Sequence, residues 1–131
     1  VGIAQRALDE GIAYTKTRCQ FGRPVAKSQG LQFKMADMAI QIETARQLVL
    51  HAHKLYELGL PYGKEAAMAK CYAGDIAVQV ALDGIQLFGG YGYSREYPVE
   101  KLLRDAKIFQ IFEGSNEIQR VVIANHILGK F

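Results

Sequence analysis

The sequence predicts an all-α domain, an antiparallel four-helix bundle with an additional short helix. Three observations support this fold class. Apolar residues recur every three or four positions over three long segments, which is the spacing of one helix face. Short segments rich in Gly and Pro separate these helices, so consecutive helices pack side by side in opposite directions. The longest strand-like alternation is the six-residue stretch KIFQIF, residues 107–112.

Composition and charge are those of an ordinary soluble domain. The 131 residues fit one domain, and half of them are hydrophobic. The net charge is only +3, and Lys and Arg are scattered among Asp and Glu, so we expect no nucleic-acid partner. The apolar runs are too short to span a bilayer, so we expect no membrane partner. Neither of the two cysteines lies in a CxxC or Cys/His cluster, so we expect no metal site and no disulfide framework.

The first helix is predicted from about Val1 to Thr17. Its apolar positions have helical spacing: Ile3, Ala4, Ala7, Leu8, Ile12 and Ala13. The chain enters this pattern without an initiator Met or a leader, so we expect residues 1–131 to be one domain of a longer protein. The FGRP segment ends the helix, because Gly22 and Pro24 both disfavour its continuation.

Two longer helices follow. Ser28 is a plausible N-cap for a helix over residues 31–58, and the segment GLPYG then forms a turn. The next helix covers residues 64–88. Gly74 and Gly84 either weaken it locally or allow a close approach of another helix.

The remaining chain contains shorter elements. The segment GGYGYSREYP, residues 89–98, is predicted as a loop, and its Pro can begin a short helix over residues 99–106. KIFQIF is predicted as a brief extended stretch. The segment EGSN then opens the last helix, which runs to about Leu128 with Ser115 or Asn116 as its N-cap.

Residues near the end of the first helix could bind a phosphorylated, planar ligand. Arg18 can contact a phosphate through two hydrogen bonds, and Phe21 can cover a ring. Gln29 lies at the start of the second helix, where free backbone N–H groups favour anions. The alternative is that Arg18 interacts with the helix dipole and that Gln29 is an ordinary surface residue.

A glycine-rich segment ends the third long helix. Its sequence is Gln86-Leu87-Phe88-Gly89-Gly90-Tyr91-Gly92. Three glycines within four residues allow a backbone to approach a ligand closely, although stopping a helix would need only one. The segment follows a helix instead of a strand, so it is not the dinucleotide-binding GxGxxG motif.

Glu113 is the candidate catalytic base. It follows an apolar run and precedes Gly114, and burial would raise its carboxylate pKa towards that of a useful base. Alternatively, Glu113 caps the helix that follows, and its pKa is then lowered by the helix N-terminus. The residues alone leave both interpretations open.

Three motifs in this order and spacing resemble the C-terminal domain of the acyl-CoA dehydrogenases. They are RCQFG at residues 18–22, QLFGGYGYSREYPVEKLLRDAKI at 86–108 and QIFEGSNEIQR at 110–120, and the resemblance covers essentially the whole chain. It implies an FAD enzyme that oxidises acyl-CoA thioesters to trans-2-enoyl-CoA and passes electrons to an electron-transferring flavoprotein. An acyl-CoA oxidase and a non-catalytic helical association module are the alternatives.

The resemblance also implies residue roles. Glu113 removes the substrate α-proton, its backbone N–H holds the thioester carbonyl, and Gly114 lies beside the substrate. Residues that match contacts to the FAD of a neighbouring subunit are Arg18, Phe21, Gln29, Gln86, Leu87, Phe88, Gly89 and Gly90. Those that match contacts to the subunit's own FAD are Ser115, Asn116 and Glu117.

The family resemblance further implies assembly and location. We expect a dimer or a dimer of dimers, acting on short- or medium-chain substrates, with the isolated domain inactive. The location is the cytoplasm of a bacterium or the mitochondrial matrix of a eukaryote. Phe112 stands where Tyr is common in the family. Acyl chain length does not follow from this domain, because most of the substrate pocket is formed by other segments.

Overall fold

A computed structural model describes residues 1–129, which form five α-helices. They are α1 (Gly2–Thr17), α2 (Gln29–Glu57), α3 (Gly63–Phe88), α4 (Val99–Lys107) and α5 (Asn116–Leu128). Short 3-10 turns cover Val25–Lys27, Gly89–Tyr93 and Ile108–Gln110, and a hairpin pairs β1 (Cys19–Gln20) with β2 (Arg23–Pro24). The prediction of an all-α domain with four longer helices and one short helix is confirmed.

Helix α3 is the centre of the domain and packs against each of the other four helices. Lys34 near the start of α2 pairs with Asp83 near the end of α3, so these two helices are antiparallel. Helices α1 and α2 are also antiparallel, because Thr15 at the end of α1 contacts Met35 near the start of α2. It follows that α1 and α3 run in the same direction.

The core lies between α1, α2 and α3. Glycines bring α1 and α3 close together: a Cβ on Gly11 would lie 2.5 Å from Leu87 Cδ1, and one on Gly84 would lie 3.3 Å from Ala7 Cβ. Of the two alternatives predicted for Gly84, the structure shows the close approach of another helix. The buried residues of this core are Ala4, Ala7, Leu8, Met38, Ile42, Ala45, Ile76, Val80 and Leu87. A smaller cluster of Ala77, Ala81 and Ala106 joins α3 to α4.

Two local predictions are wrong. KIFQIF is not extended, because α4 continues into the 3-10 turn Ile108–Gln110, and the N–H groups of Ile111 and Phe112 donate back to the Ile108 carbonyl at 2.9 and 3.0 Å. Local bonds satisfy this backbone, whereas a strand would need a partner. The segment predicted as a loop after α3 begins with a 3-10 turn, Gly89–Tyr93.

The helix ends otherwise agree with the sequence to within two residues. Ser28 is the residue before α2, but its side chain makes no capping hydrogen bond. Ser115 does cap α5, since its Oγ accepts from the N–H of Ile118 at 3.5 Å. The FGRP segment turns through Phe21 and Gly22, both with positive φ, as a tight two-residue hairpin requires.

Both cysteines are free, with Cys19 exposed and Cys71 buried, and burial raises the pKa of the Cys71 thiol. Within residues 1–129, no group of three or more His, Cys, Asp and Glu side chains is arranged to hold a metal ion. Over the same residues, no helix combines the length and apolar character needed to cross a membrane.

Candidate functional site

Arg18 with residues 86–90, and Glu113, lie in two clefts near opposite ends of α1. One cleft of about 590 Å³ contains Arg18 and residues 86–90, where α1 and α3 end. The other, of about 510 Å³, contains Glu113 and lies beside the first residues of α1 and the middle of α3. A helix of 16 residues is about 24 Å long, so the two clefts are separate sites.

An aromatic cluster supports Arg18 in the first cleft. The guanidinium carbon of Arg18 lies 5.3 Å from the centre of the Tyr91 ring, within the range of a cation–π contact. Behind it, Tyr14 stacks on Phe88 with ring centres 4.1 Å apart, and Tyr97 packs edge-on against both. Arg18 therefore presents a fixed positive charge at the cleft surface.

The glycine-rich segment contributes backbone to the same cleft. Gln86 is exposed there, whereas the side chains of Leu87 and Phe88 are only 4% and 5% exposed and belong to the interior. A Cβ on Gly90 would meet nothing within 4 Å, so this backbone is open to a ligand. A Cβ on Gly92 would lie 2.5 Å from the Ile85 carbonyl oxygen, so the last glycine of the segment serves packing.

Phe21 and Gln29 lie outside this cleft. Phe21 is fully exposed at the tip of the hairpin, and Gln29 is exposed as the first residue of α2. Neither lines the cavity that contains Arg18. The chain leaves both side chains free to meet another surface.

The second cleft is largely apolar, with Glu113 and Lys70 as its charged residues. It is lined by Val1, Gly2, Ile3, Lys70, Ala73, Gly74, Ala77, Phe109, Phe112 and Glu113. The Phe109 and Phe112 rings pack edge to face with centres 5.1 Å apart. Glu113 itself is exposed, so the desolvation expected from the apolar run before it is not provided by residues 1–129.

The loop bearing Glu113 has an unusual backbone. Glu113 has φ of 55° and Gly114 has φ of 83°, and a left-handed conformation is uncommon for a residue other than Gly. Gln119 holds this turn from α5, because its Nε2 donates to the carbonyls of Glu113 at 3.3 Å and Gly114 at 3.2 Å. A side chain at position 114 would be strained at this φ, so the turn favours glycine there.

Ser115 and Glu117, and not Glu113, take the capping roles at α5. Ser115 is the N-cap, and Glu117 lies in the first turn of α5. The backbone N–H of Glu117 and the Ser115 hydroxyl lower the pKa of the Glu117 carboxylate. The interpretation of Glu113 as the capping carboxylate is therefore not supported, and its side chain remains at the cleft.

Asn116 is buried and its amide is occupied within the chain. Its side chain is 2% exposed, donates to the Cys71 carbonyl at 3.0 Å and accepts from Lys70 Nζ at 2.8 Å. Asn116 nevertheless shares a small cleft of about 380 Å³ with Ser115 and Glu117, so these three predicted residues do come together. Both N–H groups of the Asn116 amide are used within the chain, by the Cys71 carbonyl and Asp75.

Asp75 is a residue of this region that the sequence interpretation assigned no role. Its Oδ1 accepts from Gln110 at 2.7 Å and Asn116 at 2.8 Å, and its Oδ2 accepts from Arg120 at 2.8 Å. Burial opposes its ionisation, but the three donors outweigh burial and lower the pKa of Asp75. A signal existed, because Asp75 lies among apolar residues in the middle of α3, and a carboxylate in such surroundings usually has a partner.

The comparisons with known proteins identify the family. Residues 1–128 match the family described as acyl-CoA dehydrogenase, C-terminal domain. The chain belongs to this family. An acyl-CoA dehydrogenase of Bacillus subtilis is 57% identical over 129 residues, which are 98% of this chain and 34% of that protein.

Solved structures extend the match to the fold of this acyl-CoA dehydrogenase domain. Butyryl-CoA dehydrogenase from Megasphaera elsdenii matches with a TM-score of 0.96 and 49% identity, over 98% of this chain and 33% of that one. A chain in a structure of the electron transferring flavoprotein of Acidaminococcus fermentans has the same TM-score and 52% identity, over 98% and 34%. The chain thus spans about a third of the length of its relatives.

Proposed function

We propose that this domain carries the catalytic base of an FAD-dependent acyl-CoA dehydrogenase that converts acyl-CoA thioesters to trans-2-enoyl-CoA. The observation that carries the proposal is the placement of Glu113. Its carboxylate lies on a left-handed turn at the edge of an apolar cleft, in a chain that belongs to this family. A base beside an apolar cleft is what proton removal from the α-carbon of an acyl chain requires.

Each part of the second cleft has a role in this reaction. The apolar lining around Phe109 and Phe112 takes up part of the acyl chain. Glu113 removes the α-proton, and its backbone N–H donates to the thioester carbonyl, which stabilises the charge that develops on oxygen. Gly114 leaves the adjacent backbone free of a side chain. A bound FAD would supply the acceptor for the hydride that leaves the β-carbon.

The first cleft fits the ADP part of FAD. Arg18 offers a fixed positive charge for a phosphate, Gln86 offers an exposed amide, and Gly89 and Gly90 offer a backbone with open space above it. This cleft lies about 20 Å from the Glu113 cleft along α1. The separation supports the proposal that it serves the cofactor of a neighbouring subunit, with Phe21 and Gln29 completing the contact.

The exposed surface of helix α5 supports self-association of the enzyme. Large apolar side chains are exposed on this helix: Ile118, Val121, Ile127 and Leu128. Exposed apolar patches commonly mark interfaces, and we propose a dimer or a dimer of dimers. The relatives named above support a short-chain acyl-CoA as substrate and an electron-transferring flavoprotein as partner. Their bacterial sources support the cytoplasm as location.

The proposal is tested by replacing Glu113 in the full-length enzyme. Glu113→Gln keeps the shape of the side chain but removes its basicity, so we expect FAD content to persist and kcat to fall by at least about 100-fold. Glu57→Gln, at an exposed position at the end of α2, is the matched control and should leave kcat unchanged.

Three results would count against the proposal. Near-normal turnover of Glu113→Gln would remove Glu113 from the mechanism. A colourless full-length protein that cannot be reconstituted with FAD would instead favour a non-catalytic association module. Reoxidation of the reduced enzyme by O₂ at the rate of turnover would assign the protein to the oxidases.

A further inference from the structure

We infer that Asp75 is a positioning residue for Glu113. Turnover depends on the hydrogen bonds that Asp75 makes to both ends of the loop that bears Glu113. This inference rests on the proposed function, because Asp75 is assigned a role that acts through the base. Asp75 lies on α3 and is not a lining residue of the cleft that contains Glu113.

One carboxylate oxygen joins the two flanks of the loop. The loop comprises residues 111–115, between the 3-10 turn Ile108–Gln110 and α5. Gln110 immediately precedes it and Asn116 immediately follows it, and both donate to Asp75 Oδ1, at 2.7 and 2.8 Å. Arg120, one turn further along α5, donates to Oδ2 at 2.8 Å. One side chain therefore links the two ends of the loop.

Neighbouring residues of α3 leave these ends little freedom. The Asn116 amide is also held by Lys70 and by the Cys71 carbonyl. At Gly74, a Cβ would lie 3.0 Å from the Phe109 carbonyl oxygen and 3.1 Å from Asn116 Nδ2. The Phe109 backbone before the loop and the Asn116 side chain after it thus rest directly on α3, next to Asp75.

The loop does not support itself through core packing. Ile111, Phe112 and Glu113 are all exposed, and Glu113 occupies a left-handed conformation that a non-glycine residue adopts only when its surroundings hold it there. Without the link at Asp75, the carboxylate of Glu113 would sample positions away from the substrate. A displacement of about 1 Å at a reacting group can cost about 100-fold in rate.

The test compares Asp75→Asn with Asp83→Asn in the full-length enzyme loaded with FAD. Asp83 is a close match, because it also lies on α3, pairs with a basic residue of another helix, Lys34, and accepts an amide hydrogen bond, from Gln79. It does not contact the loop that bears Glu113. Both variants should unfold at a lower temperature than the parent. The comparison therefore separates an effect of lost stability from an effect on the position of Glu113.

The expected results separate positioning from stability. Asp75→Asn should lower kcat by at least about tenfold while KM stays within about threefold and FAD content is unchanged. Asp83→Asn should change kcat by less than about twofold. Equal kcat values for the two variants would overturn the inference. If Glu113→Gln kept normal turnover, the proposed function itself would fail, and that result is independent of Asp75.

Gln110→Glu supplies a second route if Asp75→Asn does not fold. It places a carboxylate where the amide now donates to Asp75 Oδ1, and so releases the N-terminal end of the loop by repulsion. We expect the same selective loss in kcat. Normal kcat in Gln110→Glu would overturn the inference.

Discussion

Replacing Gly74 with Ala tests how closely the loop that bears Glu113 rests on α3. The new Cβ would lie 3.0 Å from the Phe109 carbonyl oxygen and 3.1 Å from Asn116 Nδ2, closer than ordinary van der Waals contact. Neither neighbour is the free end of a flexible side chain. The first is backbone, and the second is held by Cys71, Asp75 and Lys70.

Two opposing effects set the magnitude of this change. Ala is favoured over Gly in a helix interior by about 1 kcal/mol. Overpacking a well-packed site costs about 1–3 kcal/mol, and the upper part of that range applies because the neighbours cannot give way. We therefore expect a net loss of about 1–2 kcal/mol, which for a domain of this size lowers the unfolding temperature by about 4–7 °C.

The assay is thermal unfolding followed by circular dichroism, with Gly30→Ala as the control. Gly30 lies in the first turn of α2, and a Cβ there would meet nothing within 4 Å, so the same substitution should be neutral or stabilise by up to about 1 kcal/mol. The reasoning is refuted if Gly74→Ala unfolds at or above the temperature of the parent protein. It is equally refuted if Gly30→Ala loses as much stability as Gly74→Ala.

Two further predictions concern acid stability and assembly. Hydrogen bonding lowers the pKa of Asp75 in the folded state. The ionised Asp75 therefore contributes its full stabilisation above the ordinary pKa of an Asp side chain, about 4, and this stabilisation is lost as the pH falls through the lowered pKa. Asp75→Asn should therefore reduce the urea midpoint at about pH 7 and have little effect near about pH 2, and equal losses at both pH values would contradict this. The isolated 131-residue chain should sediment as an oligomer at micromolar concentration and retain little FAD, because its exposed apolar surface is large but it contains only part of the proposed cofactor site. A clean monomer, or a stoichiometrically yellow protein, would count against that expectation.

Local physical chemistry accounts for the elements that were predictable. Apolar periodicity located α1, α2 and α3, because helices of 16 to 29 residues must bury one face along their whole length. Glycine, proline and serine signals placed the helix ends to within two residues. The same rules failed at KIFQIF, where a six-residue alternation does not distinguish a strand from a helix end closed by local hydrogen bonds.

The sequence alone was enough to predict an all-α fold, the positions of its long helices and, through its motifs, membership of the acyl-CoA dehydrogenase family. Only the tertiary structure decided which polar groups meet. It separated Arg18 from Glu113, placed the Leu87 and Phe88 side chains in the interior, and brought Asp75 to both ends of the loop that bears Glu113. The partners of Asp75 are 35, 41 and 45 residues away along the chain. Periodicity and capping signals act within a few helical turns, so contacts over such separations arise only from the way the helices pack.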